Sequence, residues 1–227
     1  MKRIEQMRNS QGKVWLNVAS STHVLRDFIN LDNHIFLYLV KVYPVIKAIA
    51  PIKYRRVIEE YINAGNSAIL LKHDCRRRLP FPDQSVDHLL CSHFLEHVFL
   101  SEARTIVGDF FRVLKTGGTA HIVVPDLNSL VTKYITQNRD GVAGAANEFL
   151  TESLLVRNNP GTLKYRLLEF HGGFGLQHRY MYDYPSLRLL LEQTGFKLID
   201  INETPSKNYR QDDGSVHVVV YKERSVS

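Results

Sequence analysis

The sequence predicts an α/β domain built on a doubly wound, mostly parallel sheet. Three observations carry that expectation. Short apolar runs suited to buried strands alternate with stretches of helical periodicity, several runs end on small or acidic residues, and 227 residues are enough for one sizeable core. Hydrophobic residues make up 44% of the chain and aromatics 10%, without repeats or low-complexity stretches, so one domain with an insertion is preferred to two.

Val14 to Val18 reads as the first buried strand and opens into the small polar stretch Ala19-Ser20-Ser21-Thr22. A second strand over Phe28 to Leu31 ends on Asp32. The chain between them is barely the dozen residues a parallel crossover needs, so any helix there is very short. Ile35 to Ile52 is dense in apolar residues, but Lys41, Pro44, Lys47 and Pro51 interrupt it and exclude a continuous spanning helix of about 20 residues. Residues 33–67 therefore read as an insertion of two short helices that cover the core or pack on a second copy of the chain in a homodimer. Peripheral membrane contact through residues 35–52 is the alternative. It is less favoured because Lys41, Lys47 and Lys53 point in three directions on a helical wheel, although snorkelling lysines keep it open.

Strand character resumes over Ala68 to Leu71, ends near Asp74, and gives way to the turn-rich Leu79-Pro80-Phe81-Pro82-Asp83. Val86 to Cys91 is the next strand. Ala103, Ile106, Val107, Phe110, Phe111 and Leu114 then form one helical stripe, with Gly117 and Gly118 expected to end the helix as a left-handed cap. Thr119 to Val124 is a strand closed by Pro125 and Asp126, followed by helical sequence through Arg139. A further helix runs from Asp183 to Gly195 with Pro185 in its first turn, and strands over Phe196 to Ile201 and Val216 to Tyr221 complete the pattern.

The polar N-terminal residues precede no apolar run of signal-peptide type, and Cys75 and Cys91 suit reduced thiols, so a cytoplasmic protein is expected, with the insertion the candidate for attachment to the inner face of a membrane. The formal charge of +6 is compatible with several anionic partners. Lys72, Arg76, Arg77 and Arg78 lack the interleaved aromatics of a nucleic-acid platform, so they read as a solvated basic face and no nucleic acid is expected.

In an open parallel sheet the ligand crevice lies beyond the carboxyl ends of the strands. Those positions hold Ala19 to Thr22, Asp32, Asp74, Ser92 with His93, and Asp126. An acid at the end of the second strand suits the ribose hydroxyls of an adenosine, against the ordinary reading of a turn aspartate.

In order and spacing, Leu79-Pro80-Phe81-Pro82-Asp83 with Asp87, Ser92-His93-Phe94-Leu95-Glu96-His97, Arg112-Val113-Leu114-Lys115-Thr116-Gly117-Gly118 and Val124-Pro125-Asp126-Leu127 resemble the small bacterial class I, type-11-like methyltransferases often associated with polysaccharide biosynthesis. His178-Arg179-Tyr180-Met181-Tyr182-Asp183 and Leu190 to Phe196 resemble their C-terminal part, so the similarity spans nearly all of the chain outside the insertion. The resemblance implies a seven-stranded Rossmann-like sheet with an antiparallel last strand, S-adenosylmethionine as cofactor, and methyl transfer to a small-molecule or glycan-linked acceptor, chiefly at a hydroxyl. It also implies that Asn17, Ala19, Ser20 and Ser21 line the cofactor, that Asp32 binds ribose, that Asp74 and Cys75 flank adenine, and that Ser92 and His93 sit near the methionine part.

Family members usually carry a glycine-rich turn where this chain has Ala19-Ser20-Ser21. Holding positive φ without glycine costs about 1–2 kcal/mol per residue. Binding bears that cost if the loop rearranges around its ligand, and folding bears it if the loop is preformed. The departure leaves a second reading, a binding or scaffold module that has the fold without the activity.

Methyl transfer needs alignment above all, with a base where the acceptor is a hydroxyl. His93 is the first candidate for that base, and His178 and Asp126 are the second, each against the ordinary reading of a buried or capping residue. His93-Phe94-Leu95-Glu96-His97 also matches the H-x-x-E-H pattern of certain zinc proteases. That pattern requires a helix around it and a third ligand on a later one, whereas His93 directly follows a buried strand, so no metal is expected.

Overall fold

The computed structural model describes residues 4–21, 23–33, 43–46, 52–65, 68–156, 177–200, 202, 204–207, 209 and 213–223. Strands β1 (Trp15–Val18), β2 (Ile29–Asp32), β3 (Ile69–Lys72), β4 (Val86–Ser92), β5 (Leu114–Pro125), β6 (Phe196–Leu198) and β7 (Ser215–Lys222) form one sheet in the order β3-β2-β1-β4-β5-β7-β6. Neighbours from β3 to β5 pair parallel, while β7 runs antiparallel to both β5 and β6. The α-helices are α1 (Tyr43–Ile46), α2 (Ile52–Gly65), α3 (Leu100–Val113), α4 (Leu127–Arg139), α5 (Ala145–Glu152) and α6 (Tyr184–Gln193). Among the described residues no helix is long and apolar enough to cross a membrane.

Alternation along the strands sorts the residues onto two unlike faces. Leu16, Val18, Ile29, Leu31, Leu89, Cys91, Ile122, Val218 and Val220 join the main aliphatic core, which the α3 stripe of Ala103, Ile106, Val107 and Phe110 also enters. The intervening residues face the other way. There Leu90 and Val123 pack with Phe28, Trp15, Leu25 and Tyr209, and the buried Asn17, Asn30, His88 and His121 occupy the same alternate positions along their strands. Every one of those four is hydrogen-bonded, which is the condition for burying a polar side chain at acceptable cost.

Several motif residues turn out to hold the frame together. Arg112 donates from Nη1 to the Phe81 carbonyl at 2.8 Å, from Nη2 to the Leu79 carbonyl at 3.1 Å and from Nε to Asp109 at 2.6 Å, so one guanidinium clamps the proline-rich turn onto α3. Asp87 accepts from the Val14 amide at 2.9 Å and from Lys115 at 2.8 Å, tying the amino ends of β1, β4 and β5.

One local expectation holds and another is corrected. The described residues between β1 and β2 contain no helix, because a ten-residue return to an adjacent parallel strand leaves no room for one. Gly117 and Gly118 do not cap α3, which ends at Val113. They lie within β5, where the pairing with β4 slips between Val86 and His88. Gly117 takes φ +77°, and a Cβ on Gly118 would meet the Lys115 carbonyl oxygen at 2.8 Å, so the pair makes a tight bulge that only glycine fits.

The insertion expected over residues 33–67 contains α1 and α2, joined by a hydrogen bond from the Tyr43 hydroxyl to Glu59 at 2.6 Å and anchored by the fully buried Ile58. Residues 34–42, 47–51, 66 and 67 lie outside the described residues, and with them most of the segment considered for membrane contact.

Candidate functional site

The loop after β1 has the conformation that glycine would give it, although no glycine is present. Ala19 stands at φ 54° and Ser21 at φ 45°, both left-handed. Backbone bonds enforce the shape: the Ser20 amide donates to the Leu31 carbonyl at 3.0 Å, and the Ser21 amide donates to Asp32 Oδ2 at 2.7 Å. Behind the loop, Asn17 Nδ2 donates to the His23 carbonyl at 2.8 Å and to Asn30 Oδ1 at 2.9 Å, and Asn30 Oδ1 also accepts from the Leu25 amide at 2.9 Å. Bonds within the chain thus hold the strained conformation, and folding carries its cost. Replacing Ala19 with glycine is expected to raise stability by about 0.5–1 kcal/mol, the net of relieved strain and greater unfolded-state freedom. A urea midpoint that stays put or falls would contradict this.

Ser20 Oγ and Ser92 Oγ, at the ends of β1 and β4, are buried without a hydrogen-bond partner among the described residues. The two strands pair through Val18 and Cys91, so Ala19-Ser20 and Ser92-His93 continue side by side beyond the last rung. Two orphaned hydroxyls at such a position suit a polar ligand, because unmade buried hydrogen bonds are expensive.

His93 leaves β4 at φ 51°. Its Nδ1 lies 3.2 Å from Glu96 Oε1, and its Nε2 lies 3.2 Å from Ser215 Oγ and 3.9 Å from Asp213 Oδ2. Glu96 is fully buried, and the His93 approach lacks the alignment of a hydrogen bond, so neither carboxylate oxygen has a donor. An imidazole with a buried carboxylate on one side and a hydroxyl on the other is the arrangement that orients a general base.

A relay of histidines arrives at the same place from the second face of the sheet. Thr119 Oγ1 meets His88 Nδ1 at 2.7 Å, and Ser206 Oγ bridges His88 Nε2 at 2.9 Å and His121 Nδ1 at 2.8 Å. His121 Nε2 meets His217 Nδ1 at 3.0 Å, and His217 Nε2 lies 3.6 Å from Asp213 Oδ1. Donors and acceptors balance when every proton points one way, from Thr119 through His88, Ser206, His121 and His217 to the Asp213 carboxylate. That assignment keeps His88 and His121 neutral, and burial pushes both of their pKa values down to about 3.

The remaining candidates are dispersed. Asp126 caps α4, accepting from the Asn128 amide at 2.9 Å, so its ordinary reading is the observed one. Asp74 is engaged by Arg76, which donates at 3.0 and 2.9 Å and, against the opposing effect of burial, holds the carboxyl below its ordinary range. Cys75 turns its thiol into the core, and burial raises its pKa to about 12, so the side chain is not a crevice group. His178 is buried beside His97, their rings 4.9 Å apart. Asn17 works behind the loop. Sequence reasoning missed Glu96, Ser215, Asp213 and the relay. Histidines at alternating positions within apolar strands, His88, His121 and His217, were the available signal.

A surface hollow of about 340 Å³ lies between α3 and the loop after β3, where Cys75 lines it, and one of about 300 Å³ lies at the amino ends of β1 and β4; neither is lined by Ala19–Ser21, Asp32, Ser92 or His93. The basic cluster is ion-paired, Arg76 and Arg77 with Asp74 and Arg78 with Asp83.

Comparison with known proteins agrees with this architecture. A family model described as a methyltransferase domain matches residues 48–122, about a third of the chain. No curated protein matches. Among solved structures, a SAM-dependent methyltransferase from Methanosarcina mazei superposes with TM-score 0.53 at 16% identity, covering 98% of either chain. The PH0226 protein of Pyrococcus horikoshii gives 0.52 at 15% identity over 95% of this chain and 82% of that one. Magnesium protoporphyrin IX methyltransferase of Synechocystis, solved with bound SAH, gives 0.51 at 12% identity over 96% and 76%. This chain has the class I methyltransferase fold. In that fold, the loops after β1, β2 and β4 are the ones that the strand order brings to a common crevice, and here they carry the left-handed Ala19 and Ser21, Asp32, and Ser92 with His93.

Proposed function

We propose that the protein is an S-adenosylmethionine-dependent methyltransferase that methylates a hydroxyl of a small or glycan-linked acceptor. The observation that carries the reading is the loop after β1, which holds two left-handed residues and a bond to Asp32 beside the end of β2. Strain held in place by surrounding hydrogen bonds is characteristic of ligand sites. Bonds from within the chain hold the loop in this shape, so alanine and serine stand here where glycine would be usual.

The residues present fit the cofactor. The Ala19–Ser21 backbone and the unpartnered Ser20 and Ser92 hydroxyls would hold its amino-acid end. Asp32 would take the ribose, since a carboxylate at the end of β2 can accept bonds from both ribose hydroxyls. Asp74 and Cys75 would border the adenine through their backbone, their side chains being occupied elsewhere. When bound, the cofactor supplies an activated methyl group. His93 accepts the acceptor proton at Nε2, displacing Ser215, while Glu96 stabilises the resulting cation from the Nδ1 side.

Calorimetry with adenosylhomocysteine tests the reading. Saturable binding is expected, with Asp32→Ala weaker by about 10-fold or more, the loss of at least one charge-assisted hydrogen bond. Absence of heat at millimolar ligand would end the proposal.

A further inference from the structure

We propose that Glu96, His97 and His178 form a binding site for a first-row divalent metal ion, with Zn²⁺ as its natural occupant. One ligand atom from each of the three lies within 4.8 Å of the others. Tetrahedral zinc at about 2.0–2.1 Å from each donor needs separations of about 3.3 Å. Side-chain adjustments of about an ångström close that gap.

The chemistry of the unfilled valences selects a cation. Glu96 has no exposed surface, and among the described residues neither of its oxygens receives a hydrogen bond. A buried carboxylate in that condition is costly unless a positive charge is supplied. Among the described residues the group within ion-pair distance of it is His93 Nδ1 at 3.2 Å, which leaves Oε2 uncompensated. His178 is 7% exposed, and its Nδ1 is buried without a partner.

The surroundings hold the donors in position. His97 Nδ1 lies 3.3 Å from the Gln177 carbonyl, the outer hydrogen bond that sets a ligating histidine's tautomer and leaves Nε2 for the metal. The amides of Arg179 and Tyr180 donate to the Glu96 carbonyl at 2.7 and 3.2 Å, and the His178 amide donates to Leu154 at 3.0 Å. Residues 177–180 are thereby stapled onto the turn Leu95–His97 by the chain's own backbone bonds. A purely structural pairing of the two rings would leave the Glu96 oxygens and His178 Nδ1 unexplained.

This arrangement revises the expectation drawn from His93-Phe94-Leu95-Glu96-His97. The motif lies on a strand end and a single 3-10 turn, so its two histidines do not share a helical face. The carboxylate and the second histidine act together instead, and the third ligand comes from a segment about 80 residues away, as the His97–Gln177 contact shows. One carboxylate and two imidazoles leave a coordination position open, as in catalytic zinc sites. Glu96 joins the site to His93, so the open position stands next to the acceptor and suits an acceptor hydroxyl. This last step rests on the methyltransferase reading.

The test is titration of chelator-stripped, full-length protein with Zn²⁺, followed by Co²⁺ substitution. One equivalent bound at micromolar affinity or better is expected, with visible ligand-field absorption for Co²⁺. Glu96→Gln, His97→Gln and His178→Gln should each weaken binding more than the roughly 10–100-fold that loss of an outer partner costs. Wild-type protein that binds less than one equivalent, or equal binding in all three variants, overturns the site. Should a variant fail to fold, the wild-type Co²⁺ spectrum decides: bands of an oxygen-and-nitrogen site support it, and the spectrum of hydrated Co²⁺ refutes it. Calorimetry with adenosylhomocysteine on the same sample separates the two proposals. Zinc without nucleoside leaves the site standing and removes the enzyme reading, whereas nucleoside without zinc does the reverse.

Discussion

Replacing His93 with asparagine is expected to slow methyl transfer to a hydroxyl acceptor by about 10²–10⁴-fold, the usual contribution of a positioned base, while leaving adenosylhomocysteine affinity essentially unchanged. Asparagine is the informative substitution because His93 stands at φ 51°, a conformation asparagine tolerates better than most residues. Backbone geometry is therefore kept while the proton acceptor is removed. The split between rate and cofactor affinity is the diagnostic part, since a merely structural histidine would lower both together. Full activity in the asparagine variant would remove His93 from the chemistry and leave Ser215 and Asp213 without a reason to face it.

Acidification from pH 7 to pH 5 is expected to remove about 2 kcal/mol of stability for each of His88 and His121, up to about 4 kcal/mol together. The ordinary histidine pKa is 6.5, whereas burial holds these two folded imidazoles near 3, with repulsion from neighbouring histidines adding to the effect. Below 6.5 the unfolded chain takes up protons that the folded chain refuses, so stability is complete above that value and falls as the pH descends toward 3. The corresponding drop in unfolding midpoint is on the order of 10 °C for a chain of this size. Asp74 and Asp87, whose carboxyls are held low by Arg76 and by Lys115 with the Val14 amide against the opposing effect of burial, lose their contribution only below about pH 4. The two processes are therefore separable in a pH series. A flat profile between 7 and 5 would mean that the relay accepts a proton while folded.

Much of the frame was legible because it depends on local patterns. The apolar runs marked all seven strands, the stripe from Ala103 to Phe110 marked α3, and Asp183 with Pro185 marked the start of α6, where the Ser186 amide donates to Asp183 at 2.9 Å. Gly117 and Gly118 misled because a left-handed glycine after a helix and one inside a bulge look alike in sequence. The two are distinguished only by what the neighbouring strand does, and β4 slips its register there. At the site, the positions at the strand ends were legible from the fold class, but what the side chains do there was not. Asp74 and Asp126 serve turn and cap, while Glu96, passed over as an ordinary motif residue, is the buried charge around which three histidines gather.

Sequence alone determined where the strands and the main helices lie and that they assemble as a mostly parallel α/β sheet, because hydrophobic periodicity and turn chemistry act over a few neighbouring residues. Tertiary structure decided the conformation of Ala19 and Ser21, the partners of Glu96, and the relay that joins His88 to Ser206 across 118 positions and His93 to Ser215 across 122. Those contacts depend on strand register and on which face each side chain takes. A shift of one residue would turn every one of those histidines to the opposite side of the sheet.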